Sequence, residues 1–74
     1  MIIQISKEVI INFNFIESIT IEDKEIVFWT NTGQDYHIFF VDNNARDKAK
    51  EVIISGCNYR LPYCDISKYN KDSV

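Results

Sequence analysis

The stretch that decides the fold is Ile16-Glu17-Ser18-Ile19-Thr20-Ile21-Glu22, then Asp23-Lys24, Glu25-Ile26-Val27-Phe28-Trp29-Thr30, Asn31-Thr32-Gly33, and, after Gln34-Asp35, Tyr36-His37-Ile38-Phe39-Phe40-Val41. β-Branched and aromatic runs of strand length are separated by turn formers, with no room for a crossover helix. The pattern predicts a three-stranded antiparallel meander. A two-residue turn at Asp23-Lys24 sets Ile21 opposite Ile26 and Ile19 opposite Phe28. A three-residue turn at Asn31-Thr32-Gly33, with Gly33 left-handed, sets Phe28 opposite Tyr36 and Ile26 opposite Ile38. One face then carries Ile19, Ile21, Ile26, Phe28, Tyr36, Ile38 and Phe40, an apolar surface that must be covered.

The cover follows in the chain. Between Asn44 and Ser55 the residues Ala45, Ala49, Val52 and Ile53 recur at i, i+4, i+7 and i+8, the stripe of an amphipathic helix. Asn43 or Asn44 serves as N-cap, Asp47 falls in the first turn, and Gly56 lies just past the end. Ala45 and Ala49 let the helix approach the sheet closely, while Arg46, Asp47, Lys50 and Glu51 face water. Ile54 falls opposite Val52 and Ile53, so either the tail or a second chain packs on it, tail packing being preferred.

Upstream, Ile2 to Ile5 and Val9 to Ile11 read as two short strands around a Ser6-Lys7-Glu8 turn. Asn12 and Asn14 flank a bend with Phe13 and Phe15 tucked under it. Downstream, Tyr59, Leu61 and Tyr63 recur at period two around Pro62, which cannot donate to a ladder, so residues 57–64 form an edge strand or an extended arm. The polar residues 65–74 are expected to fray. The fold class is α+β: residues 1–41 supply the strands of an antiparallel sheet of four to six strands, residues 44–55 pack one helix across it, and a C-terminal arm completes one small domain.

Composition narrows the function. With 74 residues, the chain can bury only a thin core, about 60–65% of the surface it exposes unfolded. The 46% hydrophobic content, with five Phe, four Tyr and one Trp, is that of a folded globule rather than a disordered chain. A net charge of −3 with scattered basic residues argues against sequence-independent adhesion to nucleic acid or an anionic membrane. Met1-Ile2-Ile3-Gln4-Ile5 lacks the charged start and apolar run of a signal peptide, and no run is long enough to span a bilayer. A cytoplasmic location is expected, with Cys57 and Cys64 as reduced thiols. A bond between those two cysteines is the weaker reading.

The second face of the meander is the most informative feature. In the same register it shows Ser18, Thr20, Val27, Trp29, His37, Phe39 and Val41, where a solvated face would alternate to polar residues. Either the N-terminal hairpin or the Tyr59–Tyr63 arm folds over it and closes a small barrel, or it is a homodimer or partner-binding surface. In the binding reading the anchors are Val27, Trp29, His37 and Phe39, joined by Tyr59 and Tyr63 of the arm.

Other chemistry is weaker. His37 with Cys57 or Cys64 has no nucleophile motif around it, and Cys57, Cys64, His37 and Asp65 lack the paired-ligand spacing of a zinc site. No enzyme activity, cofactor or metal is expected. Glu22, Asp23 and Glu25 cluster at one turn. By default they are a solvated tip that blunts edge aggregation; alternatively, with Glu17, Asp35 and Asp42, they imitate a row of phosphates for a basic channel on a partner. Aromatics on a sheet face also stack bases, but such platforms sit in positive grooves, so single-stranded nucleic acid is the minority reading.

In composition, as an Ile-, Asn- and Lys-rich chain of short strands followed by one helix with Ala and Ile on its inner stripe, residues 1–56 resemble small open reading frames carried by phages and prophages of AT-rich bacteria. The resemblance implies an accessory or counter-defence protein, such as an anti-CRISPR or another inhibitor that binds a host protein stoichiometrically; the acidic turn, read as a phosphate mimic, adds a nucleic-acid-binding host protein as a candidate target. The leading expectation is therefore a small protein-binding module. Its rivals are a single-stranded nucleic-acid binder and a self-associating structural protein with a homodimer seam on its aromatic face.

Overall fold

The computed structural model describes residues 1–73, with the side chain of Ser73 left aside; Val74, the end of the expected frayed tail, lies outside the described residues. Six strands form two three-stranded sheets. Strands β1 (Ile2–Gln4), β2 (Ile10–Asn12) and β6 (Tyr63–Asp65) order as β2-β1-β6, and β3 (Ile16–Glu22), β4 (Glu25–Thr30) and β5 (Asp35–Phe39) order as β3-β4-β5. One helix, α1 (Asn43–Asn58), joins the meander to β6. This is an α+β fold whose strand pairs are antiparallel except β1 with β6, which run parallel.

The meander has the register its turns require. Ile19 faces Phe28, Ile21 faces Ile26, Ile26 faces Ile38 and Phe28 faces Tyr36. Lys24 at φ 56° and Gly33 at φ 88° occupy the left-handed region, which lets each short connection reverse the chain. The side-chain amide of Asn43 holds the first turn from the helix: Lys24 N–H donates to Asn43 Oδ1 (2.7 Å) and Asn43 Nδ2 donates to Asp23 Oδ1 (3.0 Å).

Asn43 is therefore not the N-cap. Asp42 is, accepting from Ala45 N–H at 2.8 Å, because a carboxylate there satisfies an orphan amide and complements the helix dipole. The helix also runs past Ser55. Gly56 is buried inside it, where a Cβ would meet Met1 Sδ at 2.7 Å, and the termination expected of Gly56 falls to Arg60 at φ 53°. Leu61 N–H donates to Gly56 O (2.9 Å) and Arg60 N–H to Cys57 O (3.3 Å), the paired bonds of a Schellman ending, with Pro62 immediately after.

The other sheet and the helix both pack on the inner face of the meander. Ile3, Ile5, Ile11, Ile26, Phe28, Ile38, Phe40, Ala49, Ile53, Cys64 and Ile66 form one core. β6 is the edge strand expected for the Tyr63 region, and Pro62 contributes only its carbonyl, which accepts from Ile2 N–H (2.9 Å). The segment after Asp65 is not frayed through its described part. Ile66 is fully buried, and the buried Asn70 donates its Nδ2 to Ile5 O (2.9 Å), pinning the 3-10 turn Ser67–Tyr69 under the second sheet. An apolar residue at 66 outweighed the polar composition around it. Phe13 packs on the core, but Phe15 is half exposed rather than tucked in, because the Asn12 side chain closes a tight turn onto Asn14 N–H that swings it outward. Among the described residues no helix is long and apolar enough to cross a membrane.

Candidate functional site

Neither the N-terminal hairpin nor the Tyr59–Tyr63 segment covers the outer face of the meander, since both stand on the opposite side with the helix. Pairing across β3, β4 and β5 lays out nine outer positions in three rows: Ser18-Trp29-Asp35, Thr20-Val27-His37 and Glu22-Glu25-Phe39. The side chains of alternate residues share a face, so register alone brings them together. Trp29 is 43% exposed and Phe39 52%, while Val27, at the centre, is screened by the side chains around it. Val41, just beyond β5, is half exposed.

The aromatics are held, not floppy. Trp29 Nε1–H donates to Thr20 Oγ1 at 2.9 Å, which fixes the indole across β3. The His37 ring stands between the other two, edge-on to Trp29 at 6.3 Å between centroids and stacked with Phe39 at 6.4 Å. These arrangements are the usual ones for flat rings with negative faces and positive edges.

His37 is also gripped by two carboxylates. Its Nδ1 lies 2.5 Å from Glu25 Oε2 and its Nε2 lies 2.9 Å from Asp35 Oδ2. A neutral imidazole can donate to only one of them, whereas an imidazolium donates to both. The hydrogen bond to Glu25 and then that to Asp35 raise the His37 pKa above the ordinary 6.5, against a smaller opposing effect of desolvation. Three carboxylates and no Lys or Arg occupy the nine positions, so Trp29, His37 and Phe39 stand around Val27 with negative charge between and beside them. Past Phe39 it runs into a mixed-charge groove that includes Lys24 and Lys71.

The structure brings together Val27, Trp29, His37 and Phe39, with Glu22 and Glu25 of the acidic turn beside them. It places the rest elsewhere. Asp23 points to the helix and is engaged by Asn43. Asp42, expected in an acidic row, is spent on the helix cap. Tyr59 caps the helix C-terminus and is largely exposed. Tyr63 belongs to the other sheet, where its hydroxyl donates to Gln4 Oε1 (2.5 Å) and its ring lines a groove with Val52, Leu61 and Tyr69. Asp35 is the residue that sequence reasoning undervalued. Its signal was alternation, which puts Asp35, His37 and Phe39 of one strand on one face.

The groups considered for other chemistry are far apart in role. Cys64 lies in the core beside Ile3, and burial pushes its thiol pKa up, with Cys57 nearby adding to the effect. Cys57 is exposed on the helix and both thiols are free. His37 stands on the other sheet with its two nitrogens already engaged. Among the described residues no group of three or more His, Cys, Asp and Glu side chains is placed to hold a metal ion. The sequence matches no protein-family model, and comparison with curated proteins and with solved structures returned no match.

Proposed function

We propose that this chain is a small non-enzymatic protein-binding module, and that it docks through the outer face of the meander onto a basic surface of its partner. The observation that carries the reading is the bare Trp29–His37–Phe39 cluster, its rings packed edge-on and stacked, with Glu22, Glu25 and Asp35 beside it. Large aromatics flanked by charge are the residues that dominate interface energetics, and the carboxylates would steer a cationic patch into register. A guanidinium is the best-suited group, since it can lie on an aromatic ring and reach a carboxylate at once. The resemblance of the sequence to phage accessory proteins extends the reading to a stoichiometric inhibitor of a host protein, a nucleic-acid-binding one being apt for an acidic face.

The test compares wild type with Trp29→Ala/Phe39→Ala, first confirmed as folded, in capture from bacterial lysate with and without nuclease. The captured protein is then purified and titrated. A discrete, nuclease-resistant partner bound at 1:1 by wild type and weakened roughly 30-fold or more by the double variant supports the proposal. Retention that disappears with nuclease, or a partner bound equally by the variant, overturns it.

A further inference from the structure

A second surface lies along the free side of β3. β4 bonds alternately to its two neighbours: Phe40 N–H donates to Lys24 O (2.9 Å) and Thr30 N–H to Gln34 O (3.2 Å), which commits Ile26 and Phe28 to β5. Glu25, Val27 and Trp29 therefore bond to Glu22, Thr20 and Ser18. The N–H and C=O groups of Ile19 and Ile21 point the other way, along an edge with no strand beyond it among the described residues. Beside that edge is an apolar groove of about 190 Å³ lined by Ile19, Ile21, Lys50, Ile53 and Ile54. Ile54 was expected to lie under the tail, but the tail packs elsewhere and leaves it 45% exposed.

The other sheet edges differ. The turn Lys71–Ser73 lies against β5, and β2 and β6 are three residues each, too short to template a partner. β3 has seven residues, and a bulge at Glu17 interrupts its register before Ser18. The regular part that remains is Ser18-Ile19-Thr20-Ile21-Glu22.

We infer that two copies of this chain pair their β3 strands antiparallel about Thr20, joining two meanders into one six-stranded sheet. The segment is complementary to itself in that register. Ile19 meets Ile21 of the second copy, and since both turn their backbone groups outward, each such pair exchanges two hydrogen bonds. Thr20 meets Thr20, a favourable cross-strand pair, and each Glu22 meets Ser18 rather than another carboxylate. Ile19, Ile21 and Ile54 of both copies close over one another on the helix side, and the two Trp29 platforms join into one continuous face. A centre at Ile19 would instead draw the bulged Glu17 into the ladder. This seam is distinct from the outer face, and it stands whether or not that face takes a partner.

Five paired residues per copy form a small interface, below about 1,200 Å² in total, so the dimer is a reversible one. The experiment is sedimentation equilibrium and residue-resolved amide exchange at roughly 50 µM and about 1 mM, concentrations chosen to bracket such a weak interface. The mass is expected to rise toward two chains, with the Ile19 and Ile21 amides about tenfold slower to exchange at the higher concentration. The Ser18, Thr20 and Glu22 amides, already bonded to β4, are protected at both. Ile21→Lys is expected to keep the circular dichroism of wild type and to remain a single chain. If that variant fails to fold, the two wild-type amides decide alone. A single-chain mass at 1 mM overturns the inference, as does a dimer in which the Ile19 and Ile21 amides stay unprotected. So does a dimer dispersed by Trp29→Ala but not by Ile21→Lys, which puts the seam on the outer face, and so does protection of those amides only when a foreign partner is added.

Discussion

Phe28 and Trp29 are neighbours on β4, and they have opposite fates: Phe28 is fully buried under the helix and the second sheet, whereas Trp29 remains 43% exposed on the other side. The inner face carries Ile19, Ile21, Ile26, Phe28, Tyr36 and Ile38, whereas the outer face mixes Val27, Trp29 and Phe39 with three carboxylates, so the inner face has the stronger claim on cover. Supply sets the limit. The material that can cover a sheet here is one helix, two short strands of the N-terminal hairpin, and β6 with its following turns, and among the described residues all of it except the Lys71–Ser73 turn, which lies against β5, is spent on one face. What this teaches is that the aromatic residues of the outer face are not required to close the core and are free to meet something else.

The contrast can be broken most directly by mutation. Phe28→Ala is expected to cost roughly 3–5 kcal/mol, comparable to the whole stability of a domain this small, and to leave the chain substantially unfolded. Trp29→Ala should cost only about 1 kcal/mol, chiefly partial burial and its bond to Thr20. Denaturant melts of the two variants check this, and equal losses would erase the distinction between the faces. Asn70→Ala tests the same inner side from the tail. It strips the buried Ile5 carbonyl of its side-chain donor and should lower stability by about 1–3 kcal/mol, while a polar tail without a structural role would give no change.

Smaller effects sharpen the picture. Arg60→Gly should raise stability by roughly 0.5–1 kcal/mol in thermal melts, because the left-handed conformation that ends the helix costs an L side chain and not glycine. On the outer face, His37 should titrate above 6.5 by NMR, and Glu25→Gln should lower that value more than Asp35→Asn. The sign of the linkage follows from a raised folded-state pKa. The contribution of the His37 contacts to stability is fully present below 6.5 and fades as pH rises through the raised value. Over the same rise the face loses a positive charge, so a cationic partner should bind more tightly at the upper end of that window. Identical wild-type and Glu25→Gln titrations would show that the carboxylate grip is absent in solution.

Much of this was legible in the residues. Period-two alternation and two turns with defined chemistry specify the meander to the level of individual pairs, because a slip of one residue would move every side chain to the wrong face. The helix stripe was equally readable. The helix ends were not, because Asp42 competes with two asparagines for the cap and because a left-handed arginine was invisible beside a nearby glycine. The aromatic constellation was legible for Val27, Trp29, His37 and Phe39, which lie on strands paired by local turns. Tyr59 and Tyr63 were grouped with them only by residue type.

The sequence by itself therefore determined the strands, their local register and the alternation that separates Phe28 from Trp29, all short-range consequences of side-chain direction and turn geometry. Tertiary structure alone decided that the outer face stays bare, that β6 joins β1 in parallel, that Ile66 and Asn70 fasten the tail, and that the edge of β3 is left open beside Ile54. Those outcomes depend on contacts between residues far apart in the chain, where the winner is whichever packing buries the most apolar surface while leaving buried polar groups paired.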